Sequence, residues 1–367
     1  MKLFLVLKGL HTVPSISILN LQEFAVQLLT KGGASAAEAE LVGPSLVQSD
    51  LFGYSSHGVM RIPFYLQMLE NGDICSEADL ETIADSPAGL ATDAHWGFGR
   101  VQCGRLLDEL AKRCIENGSA IGTIRNCSHI GRLGEYCEIA ANEYGLVTIA
   151  MVNTHGAARR VAPPGGIRPR LGTNPLAMGV PNGDEALILD FSTSATAEGK
   201  VRVKQIAGEQ VPSGWLLDSA GEPTNDPNTL YDEPPGTILP MGGEQAYKGF
   251  GLSLMIDIFS GAISGGLCAR ETPITPKGNC VFMMLIDPSR FGGSEIFARE
   301  VRELTGFVRS CPRKSGVEQI LLPGDPERII ANGRDVSGIP LDAANWSKLT
   351  TLAGELSVHV PDPISSD

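Results

Sequence analysis

The chain reads Ser55-Ser56-His57-Gly58-Val59-Met60-Arg61-Ile62-Pro63-Phe64-Tyr65 across one short stretch, placing an imidazole, a guanidinium and a phenol close together. Histidine exchanges a proton near neutral pH, and arginine is a permanent cation whose planar fork matches a carboxylate. Gly58 gives the backbone freedom to turn between them. A 2-oxo or 2-hydroxy acid needs those two groups side by side. The same spacing also suits an ordinary hydrogen-bonded pair on a helix surface, on one face if the helix begins early. A second imidazole, His129, lies in Arg125-Asn126-Cys127-Ser128-His129-Ile130-Gly131-Arg132, after an apolar run that reads as a strand. Loops at strand ends are common mounts for catalytic groups. His95 and His155 sit in turn-like surroundings, and His11 and His359 near the ends, none with a partner nameable from sequence. Lys248 precedes an apolar helix. There it suits either a Schiff base or, as the preferred reading, phosphate binding at a helix N-terminus.

The elements that must position these groups follow from periodicity. Residues 18–30 have a helical apolar pattern ending at Gly32-Gly33, and Ser35 with Glu38 forms a capping box for a second helix. Pro63 suits the first turn of a helix over residues 64–70. After a turn-rich passage over residues 86–99, a helix is expected over 101–117, a strand over 120–125, a helix over 134–144 and a strand over 146–152. Strands over 176–180 and 186–191 flank the turn Pro181-Asn182-Gly183-Asp184. Residues 208–243, rich in Gly, Pro, Asp and Asn, read as a long ordered loop. The almost wholly apolar helix after Lys248 reads as buried on most sides, with a second subunit as one cover. A strand over 281–286 and helices over 295–304 and near 342–349 complete the pattern. The final Ser365-Ser366-Asp367 reads as frayed.

Composition narrows the classes. A chain of 367 residues with 43% hydrophobic and 19% charged residues is globular and long enough for two or three domains. A net charge of −13 argues against nucleic acid, whose binding draws on Lys and Arg. The eight cysteines show neither Cys-x-x-Cys nor zinc-finger spacing, so no metal site is expected, and they read as buried reduced thiols in a reducing compartment. The apolar run over residues 3–7 is too short for a signal peptide, and no segment approaches a membrane span, so a cytoplasmic location without membrane partners is expected. Gly97-Phe98-Gly99 and Gly249-Phe250-Gly251 supply only two glycines of the dinucleotide fingerprint, and neither follows a convincing strand. A Rossmann domain is therefore disfavoured. No Walker lysine motif or Gly-x-Ser-x-Gly elbow occurs.

Five stretches, taken in order, resemble the malate/L-lactate dehydrogenase family of the non-Rossmann type. That family includes ureidoglycolate, sulfolactate and diketogulonate dehydrogenases and the piperideine-2-carboxylate reductases. The stretches are Ser55 through Arg61; Leu171-Gly172-Thr173-Asn174-Pro175; Leu189-Asp190-Phe191-Ser192-Thr193-Ser194 with Glu198-Gly199-Lys200; Leu239-Pro240-Met241-Gly242 with Tyr247-Lys248-Gly249-Phe250-Gly251; and Leu322-Pro323-Gly324-Asp325-Pro326. The resemblance covers roughly residues 19–349. It implies an α/β (α+β) fold with a central mixed sheet, an N-terminal helical region and a dimer-forming helical segment, with the active site between domains of a homodimer.

The implied cofactor is NAD or NADP and the implied partner a small carboxylate substrate: a 2-oxo or 2-hydroxy acid, or a cyclic imino acid. Among the catalytic positions, His57 matches the family's proton donor, Arg61 its carboxylate binder and His129 its second active-site histidine. Substrate contacts fall on Ser56, Arg61, Tyr65 and Thr173. Cofactor contacts fall on Thr154, Asn174, Asp190, Phe191, Ser192, Tyr247, Lys248, Gly324, Asp325 and Pro326. The chain departs from the family's pattern at Ser128 and Ile130, where Asn and an aromatic are common around the histidine, which changes the pocket's shape. The implied division is a leader over 1–14, a helical substrate region over 15–130, a cofactor-binding domain over 131–285 and a C-terminal region over 286–367 returning to the first domain. The rival readings are a non-catalytic anion-binding protein that grips its ligand with Arg61 and Lys248, and a lyase that uses Lys248.

Overall fold

A computed structural model describes residues 14–364, so all of the expected leader but Pro14, and the terminal residues 365–367, lie outside the described residues. The chain divides into two compact units, one from residues 14–71 with 327–364 and the other from residues 72–326.

The first unit is mainly helical: α1 (Ile18–Lys31), α2 (Ala36–Leu51), α3 (Ile62–Glu70), α9 (Asp325–Ser337, apart from its first two residues) and α10 (Ala343–Leu356). The expected capping box is present, with Ser35 Oγ accepting from Glu38 N and the Glu38 carboxylate accepting from Ser35 N, both at 3.3 Å. Leu21, Phe24, Leu28, Leu46, Val47, Ile62 and Leu349 bury the facing sides. Phe24 meets Trp346 of α10 with ring centroids 5.8 Å apart. A two-residue pairing of β1 (Ser15–Ile16) with β12 (Ile339–Pro340) joins the unit's two chain segments. Helix α9 was not expected, because Pro323-Gly324-Asp325-Pro326 signals a turn. Pro326 instead occupies the first helical turn, where its missing N–H costs nothing.

The second unit is built on a mixed seven-stranded sheet. Its strands are β2 (Glu81–Ser86), β3 (Gly89–Asp93), β4 (Ser119–Cys127), β5 (Val147–Asn153), β6 (Pro175–Val180), β7 (Leu187–Ser192) and β11 (Asn279–Ile286). The order is β2-β3-β4-β11-β5-β6-β7, with β3 and β4 parallel and every other neighbouring pair antiparallel. Helices α4 (Gly99–Asn117) and α5 (Leu133–Glu143) pack their apolar stripes on it, burying Leu106, Leu107, Leu110, Tyr136, Cys137 and Ala140 against Ile124, Val281, Met283 and Leu285. The passage over 86–99 holds the turn and second strand, β3, of a hairpin with β2 as well as further turn residues before α4. All six residues of β2 are exposed, so that edge strand carries no apolar alternation to read.

Gly97-Phe98-Gly99 does follow a strand, β3, and opens α4. Yet a Cβ at Gly99 would overlap the Ser128 carbonyl, and Gly99 N donates to Ser128 Oγ at 2.8 Å. Those glycines admit the chain's own backbone, and the sheet is not doubly wound. The expected loop over 208–243 follows α6 (Glu198–Ala207) and contains a small sheet of β8 (Leu216–Leu217), β9 (Pro223–Thr224) and β10 (Thr237–Ile238) over the buried Val161, Val201, Val211 and Leu230. Helix α7 (Ala246–Asp257) buries only Gly249, Ser253, Ile256 and Asp257. Its Leu254 and Met255 are exposed, so within this chain it is not enclosed on most sides. In α8 (Ser294–Arg309) no residue is buried.

Candidate functional site

In the first unit, His57 and Arg61 sit on two successive 3-10 turns, Ser55–His57 and Val59–Arg61, which run directly into α3. They do not share one helical face, because Gly58 is extended between them (ψ −158°). The break has a local cause. Asp50, buried in the last turn of α2, accepts Val59 N with its carboxylate at 2.7 Å, and a Cβ at Gly58 would overlap that carboxylate. Ser56 Oγ lies 3.0 Å from His57 Nδ1. Arg61 Nε donates to Ser56 O at 2.7 Å, and its guanidinium carbon stands 5.9 Å from the Phe64 ring centroid. Its Nη groups have no partner among the described residues, so the outer edge of the fork is open to a carboxylate. Tyr65 is a core side chain of α3, 1% exposed.

In the second unit, His129 lies in the turn-like connection over 128–132 between β4 and α5, which its neighbours' hydrogen bonds tie down. Ser128 N donates to Gly97 O at 3.3 Å, Ile130 N to Asn279 Oδ1 at 3.1 Å, and Tyr136 Oη to Ile130 O at 2.5 Å. Behind the turn a Cβ at Gly131 would overlap the Arg100 guanidinium, and Arg100 pairs with Glu135 at 3.3 Å. Arg132 pairs with Glu138. Burial works against the Arg132 charge, but the Glu138, Glu135 and Asp190 carboxylates outweigh it and raise its pKa.

A second group of candidates converges at the ends of β5, β6 and β7. Thr154 follows β5, and its Oγ1 donates to Ala158 O at 3.0 Å. A Cβ at Gly172 would meet both Thr154 and Asn174 Oδ1, so the two side chains flank that glycine. Asn174 is 1% exposed, and its Nδ2 donates to Ser253 O of α7 at 3.0 Å. Thr193 Oγ1 lies 3.0 Å from both Thr173 O and Asn174 O, and Ser192 Oγ accepts from Ser194 Oγ at 3.2 Å. Two buried oxygens here, Asn174 Oδ1 and Ser253 Oγ, have no hydrogen-bond partner among the described residues.

The other candidates stand apart from that cluster. Asp190 points to the start of α5, accepting Gly134 N at 2.8 Å, and Phe191 is half-buried beside it on β7. Tyr247 and Lys248 are exposed at the start of α7, the ammonium 5.9 Å from the Tyr247 ring centroid. Lys248 makes no hydrogen bond or ion pair among the described residues. Gly324-Asp325-Pro326 lies beside β7, where Ile188 N donates to Pro323 O at 3.2 Å. The Asp325 carboxylate accepts Leu322 N at 2.7 Å and Arg309 Nη2 at 3.1 and 3.2 Å.

A set of polar residues that the sequence does not mark as a group is linked at the ends of β4, β5 and β11. Asn279 Nδ2 donates to Asn153 O at 2.9 Å, and Asn153 Nδ2 to the Asp257 carboxylate at 2.6 Å. Buried His155 and half-buried Asn126 are also linked, His155 Nε2 lying 2.9 Å from Asn126 Oδ1. The available signal was position alone, since Asn126, Asn153 and Asn279 all stand at strand termini. No cluster of metal-ligating side chains occurs among the described residues, and no helix there is long and apolar enough to cross a membrane.

A mixed, largely antiparallel seven-stranded sheet flanked by helices defines an α/β protein outside the Rossmann type. The chain belongs to the malate/L-lactate dehydrogenase family, whose profile matches residues 16–350. It is 33% identical to the L-lactate dehydrogenase of Cupriavidus necator over 94% of this chain and 99% of that one. The solved malate dehydrogenase of Pyrococcus horikoshii superposes with a TM-score of 0.84 at 30% identity, covering 94% of this chain and 96% of the other. The delta1-piperideine-2-carboxylate reductase of Pseudomonas syringae superposes at 0.78 with 30% identity, covering 92% and 99%. Membership sets aside the pure anion binder and the lysine-dependent lyase.

Proposed function

We propose that the chain is an NAD- or NADP-dependent dehydrogenase that interconverts a small 2-hydroxy acid and its 2-oxo acid, of the malate, lactate, ureidoglycolate or sulfolactate type. The observation that carries this reading is the open Nη edge of Arg61 on the turn next to His57, in a chain of this family. Arg61 grips the carboxylate in two parallel hydrogen bonds, and the Ser56 carbonyl on its Nε fixes the plane of the fork. His57 delivers a proton to the developing alkoxide in reduction and removes it in oxidation. His129 serves as the second active-site histidine, and Ser56 and Thr173 shape the substrate's surroundings, while buried Tyr65 supports the helix that follows Arg61.

The residues present fit a nicotinamide dinucleotide. The orphaned, buried oxygens of Asn174 and Ser253 are acceptors for an amide N–H or a hydroxyl, and the unpaired Lys248 at the start of α7 suits a phosphate. Thr154, Asp190, Phe191, Ser192, Tyr247 and the Gly324–Pro326 turn complete that assignment. The bound nicotinamide supplies the hydride. The apolar side chains that α7 leaves exposed, Leu254 and Met255, support a homodimer in which a second copy covers them, and a cytoplasmic location completes the reading. A second reading, reduction of a cyclic imino acid, is favoured by the superposition on the piperideine-2-carboxylate reductase, since the carboxylate handle is the same and His57 would protonate nitrogen.

The test is loss of NADH or NADPH absorbance with a panel of 2-oxo and cyclic imino acids. Turnover identifies the class, and absence of turnover together with absence of cofactor binding by calorimetry overturns the proposal.

A further inference from the structure

His155 follows Thr154 directly and is 3% exposed. Its Nε2 lies 2.9 Å from Asn126 Oδ1. Asn126 Nδ2 donates to Asp93 Oδ2 at 2.8 Å, and because a carboxylate only accepts, the amide's oxygen must be the atom that faces the ring. An amide oxygen likewise only accepts, so the ring proton resides on Nε2. Nδ1 is left as a buried lone pair without a partner among the described residues. Trp96 covers the imidazole, centroids 5.2 Å apart and planes 17° from parallel.

The backbone around this contact is strained. His95, Trp96, Asn126 and His155 have φ of 45°, 61°, 51° and 49°. Asn and His visit the left-handed region fairly readily, but a bulky Trp does not. Strain of this kind persists where surrounding contacts over-determine the local geometry.

The topology gives the contact a use. Strands β4 and β5 are not neighbours, because β11 lies between them. The bond from His155 to Asn126 therefore spans β11, joining the residue after Thr154 to the strand end that leads into the His129 turn. Asn279 makes a parallel bridge, accepting Ile130 N and donating to Asn153 O.

We propose that His155 is a positioning residue, whose Nε2–H on Asn126 fixes the His129 turn relative to Thr154. The inference rests on the roles given above to His129 and Thr154. Burial, and then the Arg270 charge, lower the His155 pKa, which keeps the ring neutral with a single donor.

The test uses the full chain carrying His155→Phe, which keeps a ring for Trp96 but removes the donor, and His155→Gln, which restores an N–H. His155→Phe lowers kcat about 10- to 100-fold while KM for the acid holds. It also shifts the nitrogen-15 resonances and titration of His129, identified by their loss in His129→Gln, and His155→Gln returns both toward the original values. The resonance is read without substrate, so a chain that turns over no acid defeats the functional reading while the resonance still decides this one. If His155→Phe does not fold, Asn126→Gly, which tolerates the positive φ, removes the same bond. An unmoved His129 resonance in the folded variant, or an unchanged kcat in an active chain, overturns the proposal.

Discussion

The Asp50 carboxylate, in the last turn of α2, accepts the backbone N–H of Val59 at 2.7 Å, in a spot that excludes water. This bond fixes the exit of the turn that carries His57 and the entry of the turn that carries Arg61. Asp50→Ala strands the Val59 N–H, at a cost of about 1–3 kcal/mol, whereas Asp50→Asn keeps an acceptor and loses less. Gly58→Ala drives its new methyl group into that carboxylate. Thermal unfolding should rank the variants as Asn above Ala at position 50, with Gly58→Ala below the unsubstituted chain. Equal midpoints for all would remove Asp50 from this role.

Replacement of the two reactive side chains should separate binding from chemistry. Arg61→Ala should raise KM for a carboxylate substrate by roughly 10- to 100-fold, the worth of hydrogen bonds to a charged group. Arg61→Lys should recover little, since an ammonium lacks the fork. His57→Ala should lower kcat by about 10²–10⁴. Steady-state rates decide the matter, and a kcat untouched by His57→Ala would show that the proton comes from elsewhere.

Stability should respond to pH through His155. Burial and the Arg270 and Arg125 charges depress its pKa against the opposing pull of Asp93, so the folded chain prefers the neutral ring. Its contribution is fully present above the unfolded value of about 6.5 and is lost as pH falls below that toward the lower folded value. Urea midpoints between pH 7.5 and pH 5, values chosen to bracket about 6.5, should decline less steeply in His155→Gln. Parallel slopes would count against this linkage.

The thiols should divide by environment. Cys75 and Cys311 are exposed, whereas Cys103, Cys114, Cys127, Cys137 and Cys280 are buried, with Cys114 and Cys280 pushed up to about 11 by burial. A soluble thiol reagent should label the two exposed residues first, half-buried Cys268 more slowly, and the rest only after unfolding. Mass mapping of the labelled peptides provides the check.

Legibility in the sequence followed the strength of local signals. The capping box at Ser35 and Glu38 and the apolar periods of α1, α4 and α5 were readable because each encodes its element within a few residues. Edge strand β2 was not, since a strand with no buried face has no pattern. Helix α9 hid behind Pro323-Gly324, and α10 runs past its expected end near residue 349 to Leu356. At the site, His57, Arg61 and His129 were singled out by residue type and neighbours. His155 stood out only by residue type, and Asn126, Asn153 and Asn279 not at all, because the side-chain contacts that join them reach across 29 to 149 residues, at distances no local period records.

The placement of β11 sets a timetable for the chain. This strand is the middle of the sheet, paired on one side with β4 and on the other with β5, yet it is made only at residues 279–286. During synthesis β4 and β5 wait with bare hydrogen-bonding edges while more than a hundred further residues emerge, and exposed edges of that kind invite association with other chains. Pairing so distant in sequence closes slowly. Nascent chains halted before residue 279 should therefore be held by chaperones or aggregate, and release should coincide with the emergence of this one strand from the ribosome.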